Sequence, residues 1–341
     1  MPPASVLVLR FSAVGDILLA SPAIEALHRA WPETKILYAV KAEFADLVRQ
    51  DPLVSEVLAI GKGESAFSLA KRLAALKPGA ILDLHSNNRS RLLRMLLPRG
   101  IPRVTWTKRP WTDNVPVRMA LRPYSAQMHI AARYHAAVEQ LVGRTLPRGN
   151  LRYAVAASDA AAADRALVDA GVDLARPILG MSPGANWETK RWPIERYADI
   201  ARRARESGMQ VVVTGSPAES SLGDAIAGAT NLCGKVSLAG LGGVIQRCTA
   251  FVANDSGPMH MARALGVPTL AFFGTTDPKQ FVFDGHAVLF AATECAPCHF
   301  YGRRKCPKGH FRCMLDLTPD MAWSALMPLV QRGGRALPVI G

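Results

Sequence analysis

Short runs rich in Val, Ile and Leu alternate along this chain with helix-length segments whose apolar residues recur every three or four positions. Strands that read as nearly continuous apolar runs are buried on both faces, and helices between them carry the chain back over the sheet. The pattern therefore predicts an α/β fold with parallel sheets. In the first half it places strands at 6–11, 36–40, 56–60 and 80–84, and helices near 17–30, 42–50 and 66–76.

At 177–181 the pattern starts again with a strand, followed by a helix from Pro193 to Gly208 and a strand at 210–214. A helix at 238–247, a strand at 250–254, a short helix at 258–265 and a strand at 269–273 complete it. A length of 341 residues exceeds one domain of roughly 100 to 200 residues. Two domains are predicted, 1–170 and 171–341, with a helix and the linker within 154–176. Each half opens with a strand running into a Gly-containing loop and a helix, at Arg10–Asp16 and at Met181–Ala185. Such loops lie at the carboxyl edge of a parallel sheet, where ligands bind, so two facing edges would form one interdomain cleft.

Composition narrows the class: 49% hydrophobic and 20% charged residues suit a globular protein, and no apolar run approaches the roughly 20 residues of a membrane span. Met1 leads into the first strand without a basic region or cleavage site, so the expectation is a cytoplasmic protein. The net charge of +14 is concentrated at Arg89, Arg91, Arg94, Arg99, Arg103, Lys108, Arg109, Arg118 and Arg122, with Asp113 as the single acid. Nucleic acid, an acidic lipid surface, a phosphorylated substrate or a plain solvated face would each accommodate that segment.

Neither G-x-G-x-x-G nor G-x-x-x-x-G-K-[ST] occurs at the strand-to-helix turns, which sets aside dinucleotide dehydrogenases and P-loop NTPases. The first turn offers Ser12, Gly15 and Asp16 instead. Asp16 has two readings, a cap on the following helix or a general base facing a ligand. In the second half Lys190 and Arg191 precede a helix start, as a phosphate-neutralising pair or as solvated cations. Glu219 follows a strand, as a ribose acceptor or a first-turn acid. Asn254 to His260 is the clearest local signal. A strand ends in a capping cluster, Pro258 suits a first helical turn, and the amides of Ser256, Gly257 and Met259 can seat a diphosphate. His260 either adds a hydrogen bond there or is packed.

These residues resemble glycosyltransferase family 9, the bacterial ADP-heptose:lipopolysaccharide heptosyltransferases. The likeness spans nearly the whole chain. It rests on Arg10-Phe-Ser-Ala-Val-Gly-Asp16 through Pro22-Ala23, on Ser182-Pro-Gly-Ala185 with Lys190-Arg-Trp-Pro193, and on Asn254 to His260 followed by Ala264 to Thr269 and Phe272 to Pro278. It implies the GT-B architecture of two Rossmann-like domains, the N-terminal one for acceptor and the C-terminal one for donor, with the last helix often packing back on the first.

It further implies an inverting transfer from ADP-heptose to a hydroxyl of the lipopolysaccharide core, with no cofactor required for catalysis. Asp16 would be the base and Lys190 the stabiliser of the donor phosphates. Ser182, Gly184, Glu219, Asp255, Ser256, Gly257 and His260 would line the donor site. Ser12, Gly15, Arg89 and Arg91 fall to the acceptor, and an anionic acceptor suits a protein peripheral at the cytoplasmic face of the inner membrane.

Cys295, Cys298, Cys306 and Cys313, interleaved with His299 and His310, leave three readings open: a structural zinc site, disulfides, or free thiols. Three alternatives to the main reading also stand. They are the same fold with another nucleotide sugar, a nucleic-acid-binding module, and an inactive relative serving as scaffold. The basic residues lack interleaved aromatics and the cysteines fit no nucleic-acid finger, so no nucleic-acid partner is expected.

Overall fold

The computed structural model describes residues 1–106, 129–281 and 284–333. Lys108, Arg109, Asp113, Arg118 and Arg122 of the basic segment lie outside the described residues. Contacts divide the chain between Ala154 and Val155 into two α/β units.

The first unit is built on β1 (Ser5–Leu9), β2 (Lys35–Lys41), β3 (Glu56–Ile60), β4 (Ala80–Asp83) and β5 (Arg103–Thr105). They form one parallel sheet in the order β3-β2-β1-β4-β5, with Val6 opposite both Ile36 and Ala80. Successive strands leave β1 on one side and return on the other. The loops after β1 and β4 therefore part at their carboxyl ends, which opens a crevice there. The helices Ala66–Ala75 and Asn88–Leu96 cover one face, burying Leu69, Leu73 and Leu93 against Leu7, Leu9 and Ile81.

The second unit repeats the plan with β6 (Ile178–Ser182), β7 (Gln210–Val213), β8 (Thr230–Asn231), β9 (Ala250–Asn254), β10 (Thr269–Phe273) and β11 (Ala287–Phe290). Its parallel order is β11-β10-β9-β6-β7-β8, so the chain reverses between β6 and β9. The loops after those two strands carry Lys190 and Asp255. Trp192, Tyr197 and Phe272 form a fully buried aromatic cluster beneath them, with Trp192 stacked on Phe272 at 4.1 Å.

Where the structure departs from the sequence reading, local chemistry accounts for it. The helix expected at 17–30 is two, Val14–Leu18 and Ser21–Ala30, because Pro22 lacks an amide hydrogen and starts a helix more readily than it continues one. The segment expected as a helix at 42–50 is a 3₁₀ turn, Ala42–Phe44, and one α turn, Asp46–Arg49. The strands not foreseen, β5, β8 and β11, include both edges of the second sheet and one of the first. They are two to four residues long, too short for a periodic signal.

The helix Ala157–Asp169, expected before a boundary at 170, packs with the second unit on Leu238–Gln246, and Arg247 pairs with Asp164 at 2.5 Å. Gly243 makes this approach possible. A Cβ there would lie 2.6 Å from the Cβ of Ala163 and 3.0 Å from the Asp159 carbonyl oxygen. The helix Pro319–Gly333 buries Ala322, Leu326 and Leu329 in the core that holds Trp192, Tyr197 and Phe272. Gly243→Ala should therefore destabilise the second unit by about 1–3 kcal/mol through overpacking. Urea unfolding followed by circular dichroism will measure it, and an unchanged midpoint would show that the two helices separate without cost.

Candidate active site

In the first unit the loop after β1 places Asp16 within the first turn of Val14–Leu18, where its side chain makes no capping bond. The capping reading is replaced by a side-chain clamp. The Asp16 carboxylate pairs with the buried Arg10 guanidinium and accepts from the Tyr134 hydroxyl at 3.4 Å, yet remains 38% exposed. Arg10 is itself fixed by donating to the Leu84 carbonyl oxygen at 2.6 Å and lies over the Tyr134 ring at 5.5 Å.

Burial lowers the pKa of Arg10, but the facing Asp16, Tyr134 and Tyr38 more than offset it, so the guanidinium stays charged. Burial first, then the Asp16 charge, pushes the Tyr134 phenol well above its ordinary value, which keeps it a neutral donor. The arrangement holds a carboxylate in one orientation at the sheet's crevice, as a proton acceptor requires. Ser12 and Gly15 lie beside it, part-buried. Arg89 donates to the Glu64 carbonyl oxygen at 2.6 Å, and Arg91 is exposed.

In the second unit the expected pair of cations separates. Lys190 Nζ donates to Asp255 Oδ2 at 2.6 Å, while Arg191 turns back and donates twice to the Ala185 carbonyl oxygen, at 2.9 and 2.7 Å. Asp255 also accepts from Thr276 Oγ1 at 2.6 Å. Burial raises the Asp255 pKa, but Lys190, His260 and the two hydrogen bonds outweigh it and hold the carboxyl below its ordinary value. The side chain of Asn254 ties the Lys190 loop to β9, accepting from the Trp192 amide at 3.0 Å and donating to the Pro183 carbonyl oxygen at 2.7 Å.

Next to Asp255, Ser256 occupies the N-cap position of the helix Gly257–Ala264 without a side-chain cap bond, and its Oγ is buried with no partner. The first-turn amides of such a helix also lack intrahelical acceptors and carry the positive end of its dipole. An unpartnered hydroxyl, these amides and the Lys190 ammonium together form a seat for an anion.

The family model of glycosyltransferase family 9 (heptosyltransferase) matches residues 66–304. The chain belongs to that family. It is 25% identical over 361 residues to the lipopolysaccharide heptosyltransferase 2 of Salmonella typhimurium, covering 96% of this chain and 99% of that one. Its fold matches a family 9 glycosyl transferase from Veillonella parvula with TM-score 0.79 and 20% identity, over 96% and 97% of the two chains. It also matches the ADP-heptose lipopolysaccharide heptosyltransferase II of E. coli with TM-score 0.75 and 23% identity, over 97% and 100%. The protein is a glycosyltransferase of GT-B architecture.

In this glycosyltransferase Ser182 and Gly184 are buried at the end of β6. The Glu219 carboxylate lies over Gly184, where a Cβ would fall 1.8 Å from Oε1 and would have to push that carboxylate aside. Glu219 Oε2 accepts from the Ser216 amide and hydroxyl, both at 2.8 Å, in a capping box. His260 is packed rather than presented: 4% exposed, 3.3 Å from Arg263 and edge-on to Phe281.

The cysteine segment buttresses the site. Cys298 meets Thr275 Oγ1 at 3.2 Å, and Thr189 and Arg303 hydrogen-bond each other, which ties the segment to both the Thr276 and Lys190 loops. All four cysteines are free thiols, which corrects the disulfide reading. Within the segment their side chains turn to different partners. Cys295 faces His310 at 3.6 Å, Cys298 turns to Thr275, and Cys313 packs under Gly274. Among the described residues no group of three or more His, Cys, Asp or Glu is arranged to hold a metal ion.

Sequence reasoning missed Arg10, Tyr134 and Thr276 as partners of the two carboxylates. Burial first, then Arg263, depresses His260 from 6.5 to about 3 in the fold. Its contribution is thus fully present above the unfolded value and fades as pH falls from 6.5 toward 3, where the unfolded chain alone takes the proton. His260→Asn should flatten the acid slope of stability by a few kcal/mol over that window, relative to a uniform cavity loss, as read from melting temperatures against pH. Parallel slopes for the two proteins would mean that His260 titrates normally in the fold.

Proposed function

We propose that this glycosyltransferase moves a heptose from ADP-heptose to a hydroxyl of the lipopolysaccharide inner core, by a single displacement that inverts the anomeric carbon. The observation that carries the reading is the Lys190–Asp255 pair beside a helix N-terminus whose Ser256 hydroxyl is buried without a partner. That seat suits a departing nucleoside diphosphate. The Salmonella relative is a lipopolysaccharide heptosyltransferase and the E. coli structure an ADP-heptose lipopolysaccharide heptosyltransferase, which supports the heptose, the ADP donor and the lipopolysaccharide acceptor.

In the displacement, the acceptor oxygen bonds to the anomeric carbon as the bond from that carbon to the diphosphate breaks. Asp16 takes the hydroxyl proton, with its carboxylate oriented by Arg10 and Tyr134. Negative charge grows on the leaving diphosphate, and Lys190, Ser256 and the amides of Gly257 and Met259 stabilise it more than they stabilise the bound donor. Asp255 positions Lys190 and neutralises part of its charge until the phosphate shares it. Ser182 and Gly184 shape the donor pocket, and the Glu219 oxygen over Gly184 is placed for ribose. His260 acts by packing under the diphosphate seat. Ser12, Gly15, Arg89 and Arg91 are the acceptor contacts.

No helix among the described residues is long and apolar enough to cross a membrane. Acting on a nucleotide-linked donor and a lipid-anchored acceptor, the protein would work from the cytoplasmic side, peripherally at the inner membrane. It needs neither zinc nor nucleic acid. A GT-B enzyme using another nucleotide sugar is the competing reading, which ADP titration beside UDP and GDP separates.

Asp16→Asn should lower turnover by about 10²-fold or more, as loss of a general base does, with ADP affinity by calorimetry within a few-fold of wild type. Lys190→Ala should weaken ADP binding and slow turnover together. Undiminished turnover in Asp16→Asn would remove Asp16 from the reaction.

A further inference from the structure

The helices Ala66–Ala75 and Asn88–Leu96 lie side by side on one face of the first sheet, and their inner sides are the core already described. Their outer sides are unusual. Phe67 is 68% exposed in the first turn of one, and Met95 is 62% exposed in the last turn of the other. Apart from Met1, these are the large apolar side chains the first unit leaves in water, among the described residues. Single exposed hydrophobes are common and mean little alone.

Here charge supplies the second observation. Lys71 and Arg91 lie one helical turn from Phe67 and Met95 on the same helices, and Lys62, Lys77 and Arg99 lie in the flanking loops. All five are exposed, and no acid among the described residues pairs with them. Between Gly61 and Arg99 the sequence has two acids, Glu64 and Asp83, and both are neutralised locally, by Arg72 at 3.0 Å and Arg94 at 2.9 Å.

Two apolar tips set singly among long flexible cations do not make the contiguous, complementary patch that a protein partner needs. They match the surface of an anionic bilayer. Headgroup phosphates attract the lysines and arginines, whose methylene stems lie along the interface, and Phe67 and Met95 enter the acyl boundary. We propose that the outer face of these two helices docks the protein on anionic lipid. The inference rests on the proposed acceptor, a lipid-anchored saccharide whose reacting hydroxyl stays near the headgroups. Both helices begin at the same carboxyl edge of the sheet as the Asp16 loop, so docking by this face keeps that edge near the membrane.

The test is co-sedimentation, without donor, with vesicles of phosphatidylcholine alone and of phosphatidylglycerol and phosphatidylcholine in equal parts. The wild type should bind the anionic vesicles about tenfold or more tightly than the neutral ones, and binding should weaken with salt. Phe67→Ser combined with Met95→Ser should weaken it by about tenfold or more, as expected for two lost apolar anchors, and Lys71→Glu should weaken it and reduce its salt sensitivity. All three side chains are exposed, so ADP affinity serves as the folding control.

Absence of binding, equal binding to both vesicle types, or anionic binding indifferent to Phe67 and Met95 would overturn the proposal; the last would leave a general polyanion attractor such as nucleic acid would use. Transfer to a delipidated, water-soluble core saccharide separates the two readings. The variants should match the wild type there, whereas a wild type that docks but transfers nothing would refute the assigned reaction and leave the docking face standing.

Discussion

The buried ion pair of Lys190 and Asp255 is the constraint around which the second unit is organised. A carboxylate 5% exposed at the end of β9 cannot stay charged without close partners. Lys190 and the Thr276 hydroxyl provide them from two separate loops. Losing one member of such a pair typically costs about 3–5 kcal/mol, because the other is left buried and uncompensated. The loops are held in turn by neighbours: Asn254 grips Trp192 and Pro183, Arg191 closes on Ala185, and Trp192 donates to the Leu317 carbonyl oxygen at 2.9 Å. Loops with little regular structure are thus tied to β9 and to one another, and a helix N-terminus acquires a positioned cation.

The first unit solves the complementary problem with the same materials. Asp16 also sits at the carboxyl end of a strand where the sheet's order reverses, and it too is held by a buried cation. There the cation is behind the carboxylate. Arg10 and Tyr134 grip Asp16 from the protein side and leave part of it open to solvent. At Asp255 the carboxylate is enclosed and the lysine stands nearer the surface. On the proposed reading, one unit supplies the proton acceptor and the other the cation beside free amides that a displacement at an anomeric carbon requires.

Much of this was legible in sequence. Periodicity located β1 to β4, β6, β7, β9 and β10, because buried parallel strands need unbroken apolar runs. Pro258 after a polar cluster marked the helix that begins at Gly257. The partners were not legible, because they are distant in the chain: Tyr134 meets Asp16 across 118 residues and Lys190 meets Asp255 across 65. Adjacent Lys190 and Arg191 read as one basic unit, although one holds a carboxylate and the other its own loop. The density of cysteines left zinc, disulfides and free thiols all open, because it does not say that Cys298 turns to Thr275 and Cys313 packs under Gly274. Spacing records how near residues can come, not where their side chains turn.

The central claim is a single displacement from a nucleotide-linked heptose, and the most direct measurement is the anomeric configuration of the transferred sugar. Purified protein supplied with ADP-heptose and a heptose-free lipopolysaccharide core should form a product whose anomeric proton coupling and carbon shift, read by nuclear magnetic resonance, show configuration opposite to that of the donor. A product with the donor's configuration would contradict the account, since a lone base at Asp16 with a leaving-group seat at Lys190 permits one inversion and no second.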